Sequence, residues 1–586
     1  MSLFMRHSLL LGLCVLSSSS VFAAVKTYHL SIDETTVNLT GKPVKRISVN
    51  GQFPAPQLEF TEGDDAVIHV TNHLKNQDTS IHWHGLLLPG LMDGVPGFNG
   101  FNAIKPQQEF TYKFKVRQNG TYWYHAHSKG QEQDGLYGAL VIHPKTPAAI
   151  PAHEKAEKDY VVMLSDFHEQ SSQTIQNNLK KSAEHYQIQR ETVADVWKTM
   201  RKNGLKATWA DRKMWNQMRM LKTDLSDVTG YTFLVNGKTP EQNWTAAFNP
   251  NEKVRLRFIN AAAMSFFDVR IPNLKMTVVS ADGQPVKPVS IDEFRIGAAE
   301  TYDVVVEPKQ AHYQIQAESI DRTGFALASL QNQQQAAPHH IEQPTARPRA
   351  ILTMQDMGHG SDQHAAHDMK ADTSHDAHAM HTQPTVEMPN HDAQDHSAHA
   401  MPKSPTHSDV KTVEGWANAS TPTGHKALQY SDLKALDAQA DVREPTRELV
   451  IRLGGSMERY IWTINGQKFN EAKPLQVKHG ERIRLKFIND SMMAHPMHLH
   501  GMFMQLENGQ ASSELPNKHT VVVPPAQTVT ALLTADELGE WAIHCHLLYH
   551  MSAGMMNKLI VAHVDDQSVP PLQPVAAPQG DAHAHH

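Results

Sequence analysis

One strand pattern occurs twice in this chain, as Lys253-Val-Arg-Leu-Arg-Phe-Ile-Asn260 and as Arg482-Ile-Arg-Leu-Lys-Phe-Ile-Asn489. In both copies apolar residues alternate with arginine or lysine, which is the pattern of a β-strand with one buried face and one face in water. Both copies follow an Asn-Gly pair and end in asparagine, and a third copy of this arrangement lies near the N-terminus. The repetition predicts related β-domains rather than one large core.

The three copies define the expected domain organisation. They run from Asn50-Gly51 to Asn72, from Asn236-Gly237 to Asn260 and from Asn465-Gly466 to Asn489. Between them the strands are short and bounded by Gly, Pro, Asn and Asp, which is typical of sandwiches or Greek-key barrels rather than of a parallel sheet. We therefore predict an all-β protein with three Greek-key barrel or sandwich domains, over residues 24–150, 151–335 and 441–566.

The composition narrows the range of functions. Among 586 residues there are 38 His and 25 Met but only 2 Cys. This balance favours imidazole and thioether ligands over disulfides, so we expect metal chemistry. The formal net charge of -7 is spread over a large surface rather than concentrated in a basic stripe, which argues against a nucleic-acid partner.

The N-terminus has the features of a secretory signal. A positively charged start precedes the apolar run Leu9 to Leu16, and a small-x-small cleavage site follows at Val21-Phe22-Ala23. The run is too short to span a bilayer, and no other stretch approaches the necessary length of about 20 apolar residues. We therefore predict a signal peptide over residues 1–23, export to the periplasm, no membrane span, and Cys545 as the single cysteine of the mature chain.

Two segments depart from the strand pattern. Residues 173–221 are rich in Lys, Glu, Gln, Met and Trp and almost free of Gly and Pro, which predicts a helical insertion in the second domain. Residues 336–440 are polar and contain twelve His between His339 and His407, with six Met among them, which predicts a disordered linker. A solvated spacer needs no imidazoles or thioethers, so we expect this linker to bind additional copper. Residues 567–586 form a tail that ends in histidine.

Histidine pairs carry the strongest functional signal. Outside the linker and the tail, the His-x-His pairs are His82/His84, His125/His127, His498/His500 and His544/His546. Residues i and i+2 of a strand project from the same face, so each pair presents two imidazoles to one space. Because the pairs occur only in the first and last repeats, we expect those two domains to share a metal site. For a single pair, a surface feature or half of a zinc site is the alternative.

A second site is expected around Cys545, which lies between the two histidines of the last pair. Strand alternation turns its side chain away from theirs. His495, His550 and Met555 are the candidate partners. Two imidazoles, one thiolate and a weak axial thioether are the ligands of a blue-copper electron-transfer centre. A buried structural thiol or a tetrahedral zinc site is the alternative.

With these motifs the chain resembles the multicopper oxidases. The resemblance rests on His82-Trp-His84-Gly85, His125-Ala-His127, His495-Pro-Met-His498-Leu-His500-Gly501 and His544-Cys-His546-Leu-Leu-Tyr-His550 with Met555. Within that family, Trp209 to Trp215 and Asp224 to Tyr231 resemble segments of the copper-resistance protein A branch. The resemblance implies three cupredoxin-like domains and four copper ions.

The resemblance also implies a role for each ligand. It places the type 1 copper on His495, Cys545, His550 and Met555, and the type 2 copper on His82 and His498. The type 3 pair falls on His84, His125, His127, His500, His544 and His546. Electrons taken singly at the type 1 site would pass through Cys545 to the other three coppers, where O₂ is reduced to water.

Two carboxylates are candidates for supplying protons to O₂ reduction. Asp93 lies nine residues after His84 and matches the family's acid near the oxygen-reducing coppers, and Asp134 is the second candidate. Each precedes a glycine, so a turn aspartate is the alternative for both.

We expect Cu(I) to be the reductant, because thioethers prefer this soft ion. Met492 and Met493 precede His495, and Met502 and Met504 follow the same motif. The family's cuprous oxidases carry an Asp-x-Met at this point, and here Ser491 stands at the Asp position.

Other candidates remain open at this stage. Met214 and Met218, with Met220 nearby, form a second methionine cluster that is either a copper site or helix core. A laccase-like oxidase of phenols and a periplasmic copper-sequestering protein are the alternative functions. A periplasmic copper chaperone is a further candidate partner.

Overall fold

The structure of the protein is a computed structural model that describes residues 24–146, 150–187, 193–218, 226–335, 341–351, 412–414, 416 and 419–563. The predicted signal peptide, most of the His/Met-rich linker and the predicted C-terminal tail lie outside the described residues. Within the described part of the chain, the helices are too short or too polar to cross a membrane.

The three Asn-Gly pairs form the same turn in each domain. Their asparagines have φ of 50–53° and their glycines φ of 73–75°, the left-handed conformation that a type I′ hairpin requires at both central positions. Each asparagine Oδ1 also accepts a hydrogen bond from the backbone N–H of a neighbouring strand, at Ser31, Met163 and Arg452. The turns therefore fix the start of each repeat.

The asparagine that ends each repeat is buried and closes the same loop. Oδ1 of Asn72, Asn260 and Asn489 accepts the N–H of the residue two positions later, and Nδ2 donates to backbone carbonyls. In each domain, the strand that ends in this asparagine pairs in parallel with the domain's first strand. The predicted all-β fold with three related domains is confirmed.

The first domain packs two four-stranded sheets around one core. Its strands are Val25–Val37, Val44–Val49, Leu58–Thr61, Asp65–Asn72, His82–His84, Glu109–Lys115, Gly120–His125 and Tyr137–His143, with a short 3₁₀ turn at Gly90–Asp93. The strands His82–His84 and Gly120–His125 lie next to each other at the edge of the second sheet.

The second domain packs a six-stranded sheet on a five-stranded one. Its strands are Lys158–Phe167, Thr232–Val235, Trp244–Phe248, Val254–Asn260, Phe267–Arg270, Met276–Ala281, Gln284–Ile291, Glu293–Ile296, Thr301–Val306, His312–Ser319 and Phe325–Asn332. A 3₁₀ turn follows at Gln333–Gln335.

The third domain also packs six strands on five. Its strands are Glu448–Ser456, Ile461–Ile464, Leu475–Lys478, Arg482–Asn489, His495–Leu499, Met504–Leu506, Asn517–Lys518, Thr520–Val523, Thr528–Thr534, Gly539–Cys545 and Met556–Ala562. A 3₁₀ turn at Ser512–Glu514 and a short helix at Leu548–Ser552 complete it.

The predicted helical insertion is confirmed, as the helices Ser172–Lys181, Val193–Asn203 and Leu205–Met218. Ser171 caps the first helix by accepting the N–H of Thr174. Ile175 and Leu179, spaced i,i+4, are buried against the core of the third domain. The insertion therefore connects the second domain to the third.

The prediction that residues 336–440 form a disordered linker is wrong near both ends of this segment. Strands Arg349–Ile351 and Thr412–Glu414 pair in parallel, and a 3₁₀ turn forms at Tyr430–Asp432. Leu428 and Leu433 are buried in the core of the second domain. The apolar residues near the end of this segment are enough to pack it against the second domain. The high histidine content of the segment as a whole concealed this local apolar pattern. The His/Met-rich part, residues 352–411, lies outside the described residues.

Candidate metal centre

Two pairs of strands bring the histidine pairs together between the first and third domains. In the first domain, His82–His84 pairs antiparallel with Gly120–His125. In the third, His495–Leu499 pairs antiparallel with Gly539–Cys545, with His498 opposite His544. The rings of His82 and His500 stack with centroids 3.8 Å apart, and those of His84 and His498 at 3.7 Å. The expected meeting of these two domains at the histidine pairs is observed.

Six imidazoles form two groups of three. The ligand nitrogens within each group lie within 4.8 Å of one another, and the groups are His84/His125/His546 and His127/His500/His544. In the first group, Nε2 of His125 and Nε2 of His546 are 3.4 Å apart. In the second, Nε2 of His500 and Nε2 of His544 are 3.0 Å apart. Each group takes one residue from each of three different motifs, so neither is complete in one domain.

Cys545 belongs to a separate buried site, as its alternation with the flanking histidines predicted. Its Sγ lies 3.5 Å from Nδ1 of His495 and 3.8 Å from Nδ1 of His550. The two Nδ1 atoms are 3.2 Å apart. Met555 is fully buried and its carbonyl accepts the N–H of Cys545 at 3.1 Å, so its backbone lies beside the site. Burial raises the pKa of the Cys545 thiol, and only a cation can hold it as a thiolate here.

Hydrogen bonds on the outer ring nitrogens orient the imidazoles. Nδ1 of His82 donates to the Asp93 carbonyl at 2.9 Å, and Nδ1 of His544 donates to the Cys545 carbonyl at 2.9 Å. Nδ1 of His498 donates to the His519 carbonyl at 2.7 Å. With the proton on Nδ1, each Nε2 presents its lone pair to the centre of the cluster.

The inner nitrogens fit a metal cluster. Several are buried without a hydrogen-bond partner among the described residues: Nε2 of His82, His127 and His498, and both nitrogens of His84. Burial, together with the neighbouring imidazoles, lowers the pKa of six cluster histidines well below the ordinary value and that of His544 to about 3. Neutral imidazoles with facing lone pairs repel one another unless a cation lies between them. The donor sets therefore suit metal ions, and the thiolate site favours copper.

The predicted acid Asp93 lies at the cluster. Its Oδ2 accepts Nδ1–H of His500 at 2.8 Å, and its Oδ1 lies 3.3 Å from Nδ1 of His82. The side chain is buried, so one carboxylate joins an imidazole of the first domain to one of the third.

Asp134 is not brought to the imidazoles. Its carboxylate accepts two hydrogen bonds from Ser172, one from the backbone N–H at 2.9 Å and one from the side-chain hydroxyl at 2.5 Å. Ser172 is the first residue of the helical insertion. Glu132, which the sequence analysis missed, faces the cluster instead. Its Oε2 lies 2.8 Å from Nδ1 of His125, and its Oε1 lies 4.0 Å from Nδ1 of His546. Burial raises the pKa of Glu132 well above the ordinary value.

The outer face of the Cys545 site carries two further polar contacts. Ser491 Oγ lies 2.7 Å from Nε2 of His495, and Asp227 Oδ2 accepts Nε2–H of His550 at 2.8 Å. Trp462 stacks on the ring of His550 at 3.9 Å. The sequence analysis identified the serine by its position. It included Asp227 in the segment of family resemblance Asp224 to Tyr231 but gave it no role at this site.

The two predicted methionine clusters lie in different parts of the structure. The methionines flanking the His495 motif, Met492, Met493, Met502 and Met504, are all buried in the core that contains the Cys545 site. In the insertion, Met214 and Met218 lie on the helix Leu205–Met218, and Met220 lies outside the described residues.

Comparison with known proteins accounts for nearly the whole chain. Three family models, each described as multicopper oxidase, match residues 31–147, 158–340 and 443–565. The chain is 43% identical over 570 residues to Copper resistance protein A of Escherichia coli, covering 91% of this chain and 92% of that protein. It is 42% identical over 578 residues to Copper resistance protein A of Pseudomonas syringae pv. tomato, covering 91% and 92%.

Solved structures show the same fold. Fet3p, described as a multicopper oxidase that functions in iron import, aligns with a TM-score of 0.62 at 19% identity, over 92% of this chain and 90% of that one. The laccase from Botrytis aclada aligns with a TM-score of 0.60 at 22% identity, over 92% and 88%. At these identities the likeness concerns the fold alone.

Proposed function

Since the chain belongs to the multicopper oxidase family and serves copper resistance as a copper oxidase, we propose that it works in the periplasm and couples oxidation of Cu(I) to reduction of O₂ to water. One observation carries the coupling. Cys545 lies in one site, while its chain neighbours His544 and His546 lie in the two imidazole groups of the other. Electron entry and oxygen reduction are therefore joined by the backbone of three consecutive residues.

The residues at hand fit four copper ions. His495, Cys545, His550 and Met555 would hold one, His82 and His498 a second, and the two imidazole groups the remaining pair. Bound copper would supply one-electron redox chemistry at both sites. Asp93 and Glu132 are the buried carboxyl groups next to the cluster, and burial raises the pKa of Glu132, which favours its protonated form.

Cu(I) is favoured over a phenol by the surroundings of the Cys545 site. His495 and His550 are fully buried, and their outer nitrogens are taken by Ser491 and Asp227. An aromatic substrate therefore has no exposed imidazole edge to contact in the described structure. Buried thioethers next to His495 suit a small soft cation that is stripped of water.

The test compares O₂ uptake driven by stabilised Cu(I) with O₂ uptake driven by a phenol. We expect the Cu(I) rate to be higher and to fall on Met493→Leu. The matched control is Met276→Leu, which changes a buried methionine in the core of the second domain and should leave both rates unchanged. A phenol rate above the Cu(I) rate, unaffected by Met493→Leu, would indicate a laccase-like oxidase instead.

The His/Met-rich segment supports a role in collecting copper for this oxidase. Twelve His lie between His339 and His407, too many for a plain spacer. Deleting residues 358–407 should lower the number of copper ions bound beyond four and weaken Cu(I) oxidation at limiting copper. Phenol oxidation should change much less. Unchanged copper binding, measured by isothermal calorimetry, would make the segment only a spacer.

A further inference from the structure

A further buried imidazole, that of His519, lies beside the cluster. Its ring centroid is 4.7 Å from that of His84 and 5.5 Å from that of His498, edge to face in both cases. A ligand nitrogen of each of these three residues lies within 4.8 Å of the other two. His519 belongs to none of the His-x-His motifs, and the family resemblance assigns it no role.

The outer nitrogen of His519 is engaged and the inner one is not. Nδ1 contacts Thr520 Oγ1 at 3.0 Å and lies 3.6 Å from Asp282 Oδ2. Nε2 is buried and has no hydrogen-bond partner among the described residues. Buried polar atoms without partners are rare in native proteins, so an imidazole in this position needs a reason. His82 and His498 of the cluster show the same arrangement of one engaged and one bare nitrogen.

The approach of His519 depends on a glycine of the first histidine motif. Gly85 has φ of 83°, and a Cβ at this position would lie 2.4 Å from Cδ2 and 2.8 Å from Nε2 of His519. Any larger residue would therefore push the imidazole away from His84. The motif His82-Trp-His84-Gly85 thus provides two cluster imidazoles and the space for a further one.

The second domain anchors His519 from the opposite side. Asp282 Oδ2 accepts the backbone N–H of His519 at 3.2 Å and that of Thr520 at 3.0 Å. Lys518, fully buried, lies 3.2 Å from the same carboxylate oxygen and 2.9 Å from Glu300. This buried charge network fixes the backbone, because its groups cannot regain water without disrupting the interface. All three domains therefore contribute to the position of one imidazole.

We propose that His519 is a further copper ligand, which offers its Nε2 as a third imidazole nitrogen to the type 2 ion through its position beside His498. The proposal rests on the proposed function in taking copper as the metal of the cluster. Three protein nitrogens leave the ion fewer open positions than two, so it should be held more tightly and exchange more slowly.

The direct test is pulsed EPR on the fully loaded wild-type protein, counting the nitrogens coupled to the type 2 copper. We expect three, and two in His519→Gln. We also expect the variant to lose this copper at least tenfold faster on dialysis against a chelator while keeping its blue band. His168→Gln, which changes a buried histidine of the second domain that contacts Tyr186 and Tyr231, is the control and should behave as wild type.

Gly85→Ala provides a second approach to the same question, because it displaces the imidazole and leaves His519 in the sequence. We expect it to reproduce the loss of one coupled nitrogen. Two nitrogens in the wild-type protein, with oxidase activity intact, would overturn the role of His519 alone. A protein that takes up copper but shows neither a type 2 signal nor a blue band would overturn the proposed function as well.

Discussion

Oδ2 of Asp227 accepts a hydrogen bond from Nε2 of His550 at 2.8 Å, although 323 residues separate the two in the chain. The same oxygen accepts the Tyr460 hydroxyl at 2.6 Å. Asp227 is buried and lies between the helical insertion and the strand Thr232–Val235. A carboxylate of the second domain therefore sets the orientation and the basicity of a ligand in the third.

Asp227→Asn should weaken the Cys545 site without unfolding the protein. The amide keeps an acceptor for His550 but removes the negative charge that stabilises the more oxidised metal. We expect a higher reduction potential of the blue copper and 10–100-fold weaker copper retention, about the range seen when such outer partners are changed. Spectroelectrochemistry and chelator competition measure both. Asp65→Asn, at an exposed ion pair with Lys115, is the control, and equal values for the two variants would remove Asp227 from this role.

Cys545→Ser should abolish the blue charge-transfer band and oxidase activity while leaving a folded protein. The thiolate is both the chromophore and the connection to the cluster, and a hydroxyl supplies neither. Serine is smaller and fits the same buried space, so circular dichroism should match wild type. An absorption spectrum that retains the band would exclude Cys545 as a copper ligand.

His127→Ala and His500→Ala should separate the two sites in the opposite way. Both residues belong to one imidazole group and neither contacts the sulfur site in the structure. We expect the blue band to remain and O₂ consumption to fall to the background rate, because electrons can enter but cannot be delivered to oxygen. Wild-type turnover in an oxygen electrode would remove these residues from the ligand set.

The sequence predicted those features of the structure that depend on residues close together in the chain. The Asn-Gly turns and the strand ends at Asn72, Asn260 and Asn489 follow from backbone preference and alternation, so their geometry was predictable. The His-x-His pairs and the opposite direction of Cys545 follow from the period of a strand.

Contacts between distant segments were not predictable in the same way. Asp227 and His519 reach the metal centre through packing between domains, and Glu132 reaches it through the turn that follows His125. No local pattern assigns any of the three to the metal centre. Asp134 shares its local signal with Asp93, an aspartate before glycine, but the chain there turns its carboxylate to Ser172. The positions of Glu132 and Asp134 in the sequence do not indicate which of the two side chains faces the imidazole cluster.

Glu132→Gln and Asp134→Asn form a matched pair that tests the correction. Glu132 lies against His125, so replacing its carboxyl group should slow O₂ reduction by about 10²-fold or more, as expected for loss of a positioned acid, and flatten the pH profile. Asp134→Asn should lower stability, because it weakens the bonds to Ser172, and should leave oxygen reduction near wild type. Steady-state O₂ uptake across pH measures both variants, and the reverse ranking would restore Asp134 as the acid.

The metal-free protein should lose stability steeply on acidification. Burial lowers the pKa of His544 to about 3 and that of His519 to about 4. It also lowers the pKa of six further cluster histidines, which are His84, His125, His127, His498, His500 and His546. In the unfolded chain these groups bind protons near pH 6.5, so below that pH the unfolded state holds more protons than the folded state. The free energy of unfolding therefore falls as pH drops from about 6.5 towards the folded pKa values, by up to about 1.4 kcal/mol per pH unit for each such histidine.

Urea unfolding of chelator-treated protein at pH 7 and pH 5 tests this, with His544→Leu as the comparison. We expect a much lower midpoint at pH 5, and a smaller difference between the two pH values in the variant, which has one fewer buried imidazole to protonate on unfolding. Copper should raise the midpoint at both pH values, since it binds the folded state, and by less at pH 5, where protons compete for the same nitrogens. Equal midpoints for the metal-free protein at the two pH values would mean that the imidazoles are already protonated or hydrated in the fold, which contradicts a preformed metal cluster.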